Sequence, residues 1–225
     1  MGANSLRRKD IATYLCPVHY YNIKTPVWLP RFFPKELIWK MPDEEAVYIT
    51  FDDGPHETAT PLVLDLLKEY DAKATFFCIG KNVAAHPQLF QRIVSEGHLV
   101  GNHSHDHLNG WKNTNESYLK NILKASRHID NKIFRPPYGR IKISQSKRLL
   151  QRGWTIYMWD VLSGDFDTSI SPEECAENVL QHIEPGSIVV FHDSEKAFLR
   201  MKYALPHVLE YCKSKNWEMK TLTTH

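Results

Sequence analysis

From residue 46 onward the chain alternates short apolar runs with amphipathic stretches. Residues 46–51 read Ala-Val-Tyr-Ile-Thr-Phe and stop at Asp52-Asp53-Gly54-Pro55, after which Leu62, Leu64, Leu66, Leu67 and Tyr70 recur at helical spacing. Residues 74–79 form a second strand-like run, Leu89, Phe90, Ile93 and Val94 mark a helix that stops at Gly97, and residues 98–102 make a short strand. Tyr118, Leu119, Ile122, Leu123 and Ile129 trace a helical stripe ahead of a strand at 132–135; residues 144–152 form a helix ahead of a strand at 154–159. Ser171-Pro172-Glu173-Glu174 supplies an N-cap, a first-turn proline and a capping-box acid for a helix through Leu180. An Ile/Val-rich strand at 187–191, a helix over 198–211 that Pro206 is expected to kink or divide, and a terminal strand at 217–222 complete the series.

Seven strand candidates alternating with helices, without an internal repeat, predict the α/β class and a distorted (β/α) barrel of about seven parallel strands. An open doubly wound sheet is the other arrangement that the pattern allows. Residues 45–225 are expected to form the barrel, with residues 1–44 a lead-in segment packing on it. Within the lead-in, Trp28, Phe32, Phe33 and Trp39 are interleaved with basic residues and prolines. That mixture suits packing of the aromatics on the domain, or peripheral contact with a membrane interface.

Composition adds mainly exclusions. With 42% hydrophobic and 24% charged residues the chain can bury a sizeable core. A net charge of +2 without a basic tract makes nucleic acid an unexpected partner. Cys16, Cys78, Cys175 and Cys212 are scattered without Cys-x-x-Cys spacing and are read as reduced, buried thiols. No stretch is apolar enough to form a transmembrane segment, and no signal-peptide hydrophobic region follows the first ten residues, so the expected address is cytoplasmic, with membrane association as the variant. Oligomeric state is not legible.

The polar residues that end the apolar runs carry the chemistry. Two adjacent carboxylates at a strand end repel each other and lose hydration, which calls for a cation or a titration role in compensation. About fifty residues on, His103-Ser104-His105-Asp106-His107 places its first and last imidazoles four apart, where one face of a helical turn would bring them together. One carboxylate with two histidines is a metal-binding set. Asp52 and Asp53 follow the first strand, His103 the third, Arg135 the fourth, Asp160 and Asp165 the fifth and His192 the sixth, so all fall at the active-site edge of a parallel sheet. The plain alternatives are a solvated turn for Asp52-Asp53-Gly54-Pro55 and a capped strand end for His192.

Five ordered segments over roughly residues 45–222 carry a resemblance: Thr50-Phe51-Asp52-Asp53-Gly54-Pro55, His103-Ser104-x-x-His107, Arg135-Pro136-Pro137-Tyr138-Gly139, Asp165-Phe166 and Val190-Phe191-His192. In these the chain resembles the polysaccharide deacetylases of carbohydrate esterase family 4, the NodB homology domain. The resemblance implies a distorted barrel, a divalent metal, usually zinc with cobalt or another transition metal as alternatives, and hydrolysis of N-acetyl or sometimes O-acetyl groups on sugars. It implies Asp52 as base, Asp53, His103 and His107 as metal ligands and His192 as acid. It further implies that Arg135 orients the base, that the Tyr138 main chain faces the oxyanion, that Asp165 tunes His192, and that Pro137, Tyr138 and Phe166 border the substrate. Phe166 stands where the family usually has tryptophan. His105 and Asp106 are extra polar residues within the second motif, and Asp160 and Asp167 flank the fourth.

Amide hydrolysis at neutral pH needs a strengthened nucleophile and a stabilised oxyanion, and an ion held by three protein ligands keeps positions open for water and the acetyl oxygen. Arg135 can hold Asp52 ionised through a forked pair, and a histidine beside a carboxylate can protonate the departing amine. The expected substrate is an N-acetylglucosamine-containing glycan: peptidoglycan, a chitooligosaccharide or a related sugar. O-acetyl esterase action, a noncatalytic carbohydrate-binding barrel and a two-histidine, one-carboxylate iron oxygenase are the competing readings.

Overall fold

The structure is a computed structural model that describes residues 21–223; Cys16 and the first part of the lead-in lie outside the described residues. All seven residues of strand β1 (Ala46–Asp52) are buried, which is the signature of a central parallel strand covered on both faces. Its alternation still sorts the side chains. Val47, Ile49 and Phe51 point to an outer layer with helices α1 (Ala59–Glu69), α6 (Pro172–Leu180) and α7 (Phe198–Ser214), while Ala46 and Tyr48 join Phe77, Ile133, Tyr157, Ile188 and Leu222 in a second, inner cluster.

Around β1 lie β2 (Thr75–Cys78), β3 (Leu99–Asn102), β4 (Ile133–Phe134) and β5 (Thr155–Ile156) on one side, and β7 (Ile188–His192) and β6 (Val161–Leu162) on the other. These seven strands run parallel in the order β5-β4-β3-β2-β1-β7-β6 and curl into an incompletely closed barrel; β8 (Glu218–Met219) pairs with the first residues of β1. Helices α2 (Gly80–Ala85) and α3 (Pro87–Ser95) cross from β2 to β3. Helices α4 (Asn115–Ala125) and α5 (Ile143–Leu150) flank the β4–β5 arm, where Tyr118, Ile122 and Leu149 pack on Phe134, Ile156 and Met158.

The barrel has a seam between β5 and β6, and the segment before β1 lies along it. Lys24 bridges to Val161 on one edge strand and Ile38 to Tyr157 beside the other, with the Ile38 amide donating to the Ile156 carbonyl at 3.0 Å. Backbone groups that an open edge would leave unpaired are thus satisfied. Phe33, Leu37 and Trp39 pack onto the α4–α5 cluster, whereas Val27, Trp28 and Phe32 are exposed.

Three sequence expectations change. The run at 154–159 yields β5 and then turns into a separate strand, β6, which no apolar periodicity announced because it is two residues long. Pro206 does not divide α7, which is continuous for 17 residues. His103 to His107 form no helical turn: the segment is a loop in which Ser104 (φ 62°) and His107 (φ 54°) are left-handed. Ser171 does cap α6, its hydroxyl accepting from the Glu174 amide at 3.1 Å. Cys78, Cys175 and Cys212 are free and buried. Among the described residues no helix is long and apolar enough to cross a membrane.

Candidate active site at the strand ends

The inward phase of the strands ends in polar residues. Thr50 and Asp52 follow Tyr48 on β1, His103 follows Gly101 past β3, Arg135 follows Ile133 past β4, and His192 follows Val190 on β7. A two-residue period places all of these side chains on one face at the C-terminal strand ends. Asp52 and His192 are register partners across β1 and β7.

Arg135 has no exposed surface. Its Nη1 donates to Thr50 Oγ1 at 2.6 Å and to Asp52 Oδ1 at 2.9 Å, and its Nη2 donates to the Met158 carbonyl at 3.0 Å. The guanidinium lies 4.2 Å over the Phe77 ring, and Gly101 makes room for that ring, since a Cβ at Gly101 would run into it. The forked pair expected from the sequence is replaced by a contact through one nitrogen, because Nη2 is taken by the chain beyond β5. Asp52 is itself buried, so the pair lies in a low-dielectric setting where its geometry is firmly held.

Asp53, His103 and His107 each offer a ligand atom, and the three atoms lie within 4.8 Å of one another. A left-handed backbone at Asp53 (φ 82°) breaks the strand alternation and turns its carboxylate toward the histidines, with Oδ1 3.2 Å from His107 Nε2 and 3.8 Å from His103 Nε2. His103 Nδ1 donates to the Arg135 carbonyl at 2.8 Å, which leaves the Nε2 lone pair toward the other two residues. His107 Nδ1 meets the Tyr138 hydroxyl at 3.1 Å. Burial pushes the pKa of both imidazoles down, so both are neutral donors at neutral pH. Asp53 Oδ1 is buried without a hydrogen bond, an acceptor that a cation would satisfy. Two neutral imidazoles and one carboxylate fit a divalent metal.

Across the groove, Asp165 Oδ1 lies 2.7 Å from His192 Nδ1, and Asp165 Oδ2 accepts the His192 backbone N–H at 2.7 Å. Burial opposes charge on this imidazole, but Asp165, with Asp53 and Asp52 beyond it, outweighs burial and brings the pKa up to about 9. The flanking carboxylates are spoken for elsewhere. Asp160 binds Lys24, Ser187 and the Ile188 amide, and Asp167 accepts from Tyr21 and Ser169. The His105 and Asp106 backbone N–H groups donate to Asn121 Oδ1, and the His105 ring stacks on His128.

Asp193, directly after His192, braces the Asp52-Asp53-Gly54 turn. Its Oδ1 accepts from the Gly54 amide at 3.0 Å and its Oδ2 from Thr60 Oγ1 at 2.5 Å. A Cβ on Gly54 would collide with this carboxylate. Its position directly after His192 was the signal available, but nothing local to the sequence pairs it with Gly54 or Thr60.

A cavity of about 500 Å³ opens over these groups, with Tyr21, Tyr138, Arg140, Trp159, Leu162, Phe166 and Lys196 among its walls. Phe166 meets His192 edge-on at 5.3 Å and Tyr21 at 5.0 Å, so an aromatic wall stands on the His192 side. Tyr138 is left-handed (φ 61°), follows the buried Pro136 and Pro137, and is largely exposed. Trp159 lines the groove, whereas Trp111 lies outside it under Arg140.

Comparison with known proteins follows the same lines. The family described as polysaccharide deacetylase matches residues 40–156. A peptidoglycan-N-acetylglucosamine deacetylase of Bacillus cereus is 34% identical over 187 residues, covering 80% of this chain and 68% of its own length. A chitooligosaccharide deacetylase of Azorhizobium caulinodans is 32% identical over 158 residues, 67% of this chain and 75% of that protein. The crystal structure of a peptidoglycan N-acetylglucosamine deacetylase in complex with 4-naphthalen-1-yl-N-oxidanyl-benzamide superposes with a TM-score of 0.79 at 32% identity, over 88% of this chain and 95% of that one.

Proposed function

This chain belongs to the polysaccharide deacetylase family, and from that premise we propose that it hydrolyses the N-acetyl group of N-acetylglucosamine units in a glycan such as peptidoglycan or a chitooligosaccharide. The observation that carries the reading is the placement of Asp52 and His192 on neighbouring strand ends beside the Asp53, His103 and His107 set.

Asp53, His103 and His107 would hold the ion, for which zinc suits the donor set, and when bound it supplies Lewis-acid polarisation of the acetyl carbonyl and a more acidic water. Asp52 is the base. It accepts the proton of the attacking water, and Arg135 holds it in place by the 2.9 Å contact. Arg135 supplies the one cation in contact with this buried carboxylate among the described residues. The Tyr138 main-chain N–H, set by the preceding prolines, faces the developing oxyanion. His192 donates its proton to the departing amine, and Asp165 keeps it charged at neutral pH and fixes the ring so that Nε2 carries the transferred proton. Pro137, Tyr138 and Phe166 border the sugar. The walls of the cavity restrict water around the reacting group and give the sugar aromatic faces to rest on.

Acetate release from N-acetylglucosamine oligosaccharides and from peptidoglycan fragments tests the reading directly, with zinc or cobalt added. Turnover is expected for wild type and not for Asp52→Asn. An ester-only substrate profile would transfer the site to O-acetyl esterase chemistry, and tight glycan binding without turnover would make it a binding barrel.

A further inference from the structure

Most charged groups in the groove are paired: Asp52 with Arg135, Asp165 with His192, and Asp53 beside His107. Arg140 and Lys196 are not. Both line the cavity, and among the described residues neither has a side-chain hydrogen bond or an ion pair. Arg140 follows β4 and Lys196 follows β7, so they stand on the two arms of the sheet to either side of β1. Arg140 is also held in place. Its guanidinium lies 5.3 Å from the Trp111 ring, and the Trp111 indole N–H is fixed on the Ile141 carbonyl at 3.2 Å. Neighbouring Gly139 (φ 65°) sits so close over Trp159 that a Cβ would strike its ring, which brings Arg140 to the edge of an aromatic face.

Two unpartnered cations flanking a groove with aromatic walls match a sugar chain that carries negative charge on the residues next to the one being processed. On the deacetylase reading above, we propose that Arg140 and Lys196 are anion-recognising subsites on either side of the reacting sugar, so that this groove takes a glycan with acidic substituents in preference to a neutral polymer. Carboxylate and phosphate share the required chemistry. A planar guanidinium accommodates either in forked fashion, and an ammonium meets either as a point charge.

The test compares kcat/KM for three tetrasaccharides that present the same N-acetylglucosamine unit: the neutral homopolymer, one with a lactyl-ether carboxylate on alternate sugars, and one with a phosphate monoester on alternate sugars. Each is assayed at low and high salt. Wild type is expected to favour at least one acidic substrate by about tenfold at low salt, with the preference shrinking as salt rises. Arg140→Gln and Lys196→Gln are each expected to lower the acidic-to-neutral ratio by about three- to fivefold, the scale of an exposed charge contact, chiefly through KM. Lys202→Gln, an exposed lysine outside the groove, should leave the ratio unchanged. The acidic arm that is favoured identifies carboxylate or phosphate as the source. Equal kcat/KM on all three substrates, or a ratio unmoved by both substitutions, overturns the subsites while deacetylation stands. No acetate from any of the three overturns the deacetylase reading itself.

Discussion

Asp165 holds His192 at two points, one carboxylate oxygen 2.7 Å from the ring Nδ1 and the other accepting the residue's own backbone N–H at 2.7 Å. The contact fixes both the ring orientation and its charge, and with burial working against it the pKa still rises to about 9.

That value sets a pH limit. His192 must be charged to act as acid, so kcat should fall as pH rises through about 9 in wild type. In Asp165→Asn the alkaline limb should move down toward about 6.5, the ordinary histidine value. The folded-state pKa is raised, so the stability from this pair is fully present below about 6.5 and is lost as pH climbs to about 9. Thermal melts across that window should show the loss in wild type and lack it in Asp165→Asn. A kcat–pH profile unchanged by the substitution would remove Asp165 from its assigned part.

Asp52 and Arg135 separate chemistry from stability. Asp52→Asn keeps the shape and removes the base, and kcat should drop by about 10²- to 10⁴-fold while zinc content measured by emission spectroscopy stays near one per chain. Arg135→Ala leaves a buried carboxylate without its cation, a loss of about 3–5 kcal/mol, which denaturant titration would read. If Asp52→Asn bound no zinc, Asp52 would have to be counted among the ligands.

Tyr138 reaches His107 through its hydroxyl at 3.1 Å, the outer partner that metal-binding imidazoles commonly have. Cobalt titrated against the absorbance of its ligand-field bands should bind Tyr138→Phe about ten- to a hundredfold more weakly. His105→Ala, altering a ring that stacks on His128 instead, should bind cobalt as wild type does. Equal affinities for Tyr138→Phe and wild type would assign the hydroxyl no part in holding His107.

Gly101→Ala places a methyl group against Phe77, the ring beneath the Arg135 guanidinium. Overpacking of this kind should cost about 1–3 kcal/mol in a denaturation experiment. It should also lower kcat, because Phe77 cannot shift without disturbing the cation that positions Asp52. Loss of stability with kcat intact would show that Arg135 tolerates the displacement.

Much of this was legible in the chain, for local reasons. Strands as long as β1 and β7 announce themselves by continuous Ile, Val and Phe, and the residues that follow them fall at one sheet edge by topology alone. The four-residue spacing of His103 and His107 looks the same in a helix and in a loop with two left-handed residues, and only the backbone angles tell them apart. The single-nitrogen contact between Arg135 and Asp52 depends on the Met158 carbonyl, 23 positions away. The Asp193 brace on Gly54 spans 139 positions and leaves no mark on any periodic pattern. Contacts of this range are fixed by the barrel's curvature, which two-residue strands such as β5 and β6 only weakly signal.

The strip of chain around Lys24 and Ile38 makes the barrel hard to trim. The polysaccharide deacetylase family description matches residues 40–156, and a fragment cut at residue 40 would look complete on paper. It would nonetheless carry two naked strand borders, at β5 and β6, each able to recruit a neighbour's backbone. Swapping catalytic barrels between proteins of this kind therefore means carrying the preceding twenty or so residues along, or accepting a product prone to clump.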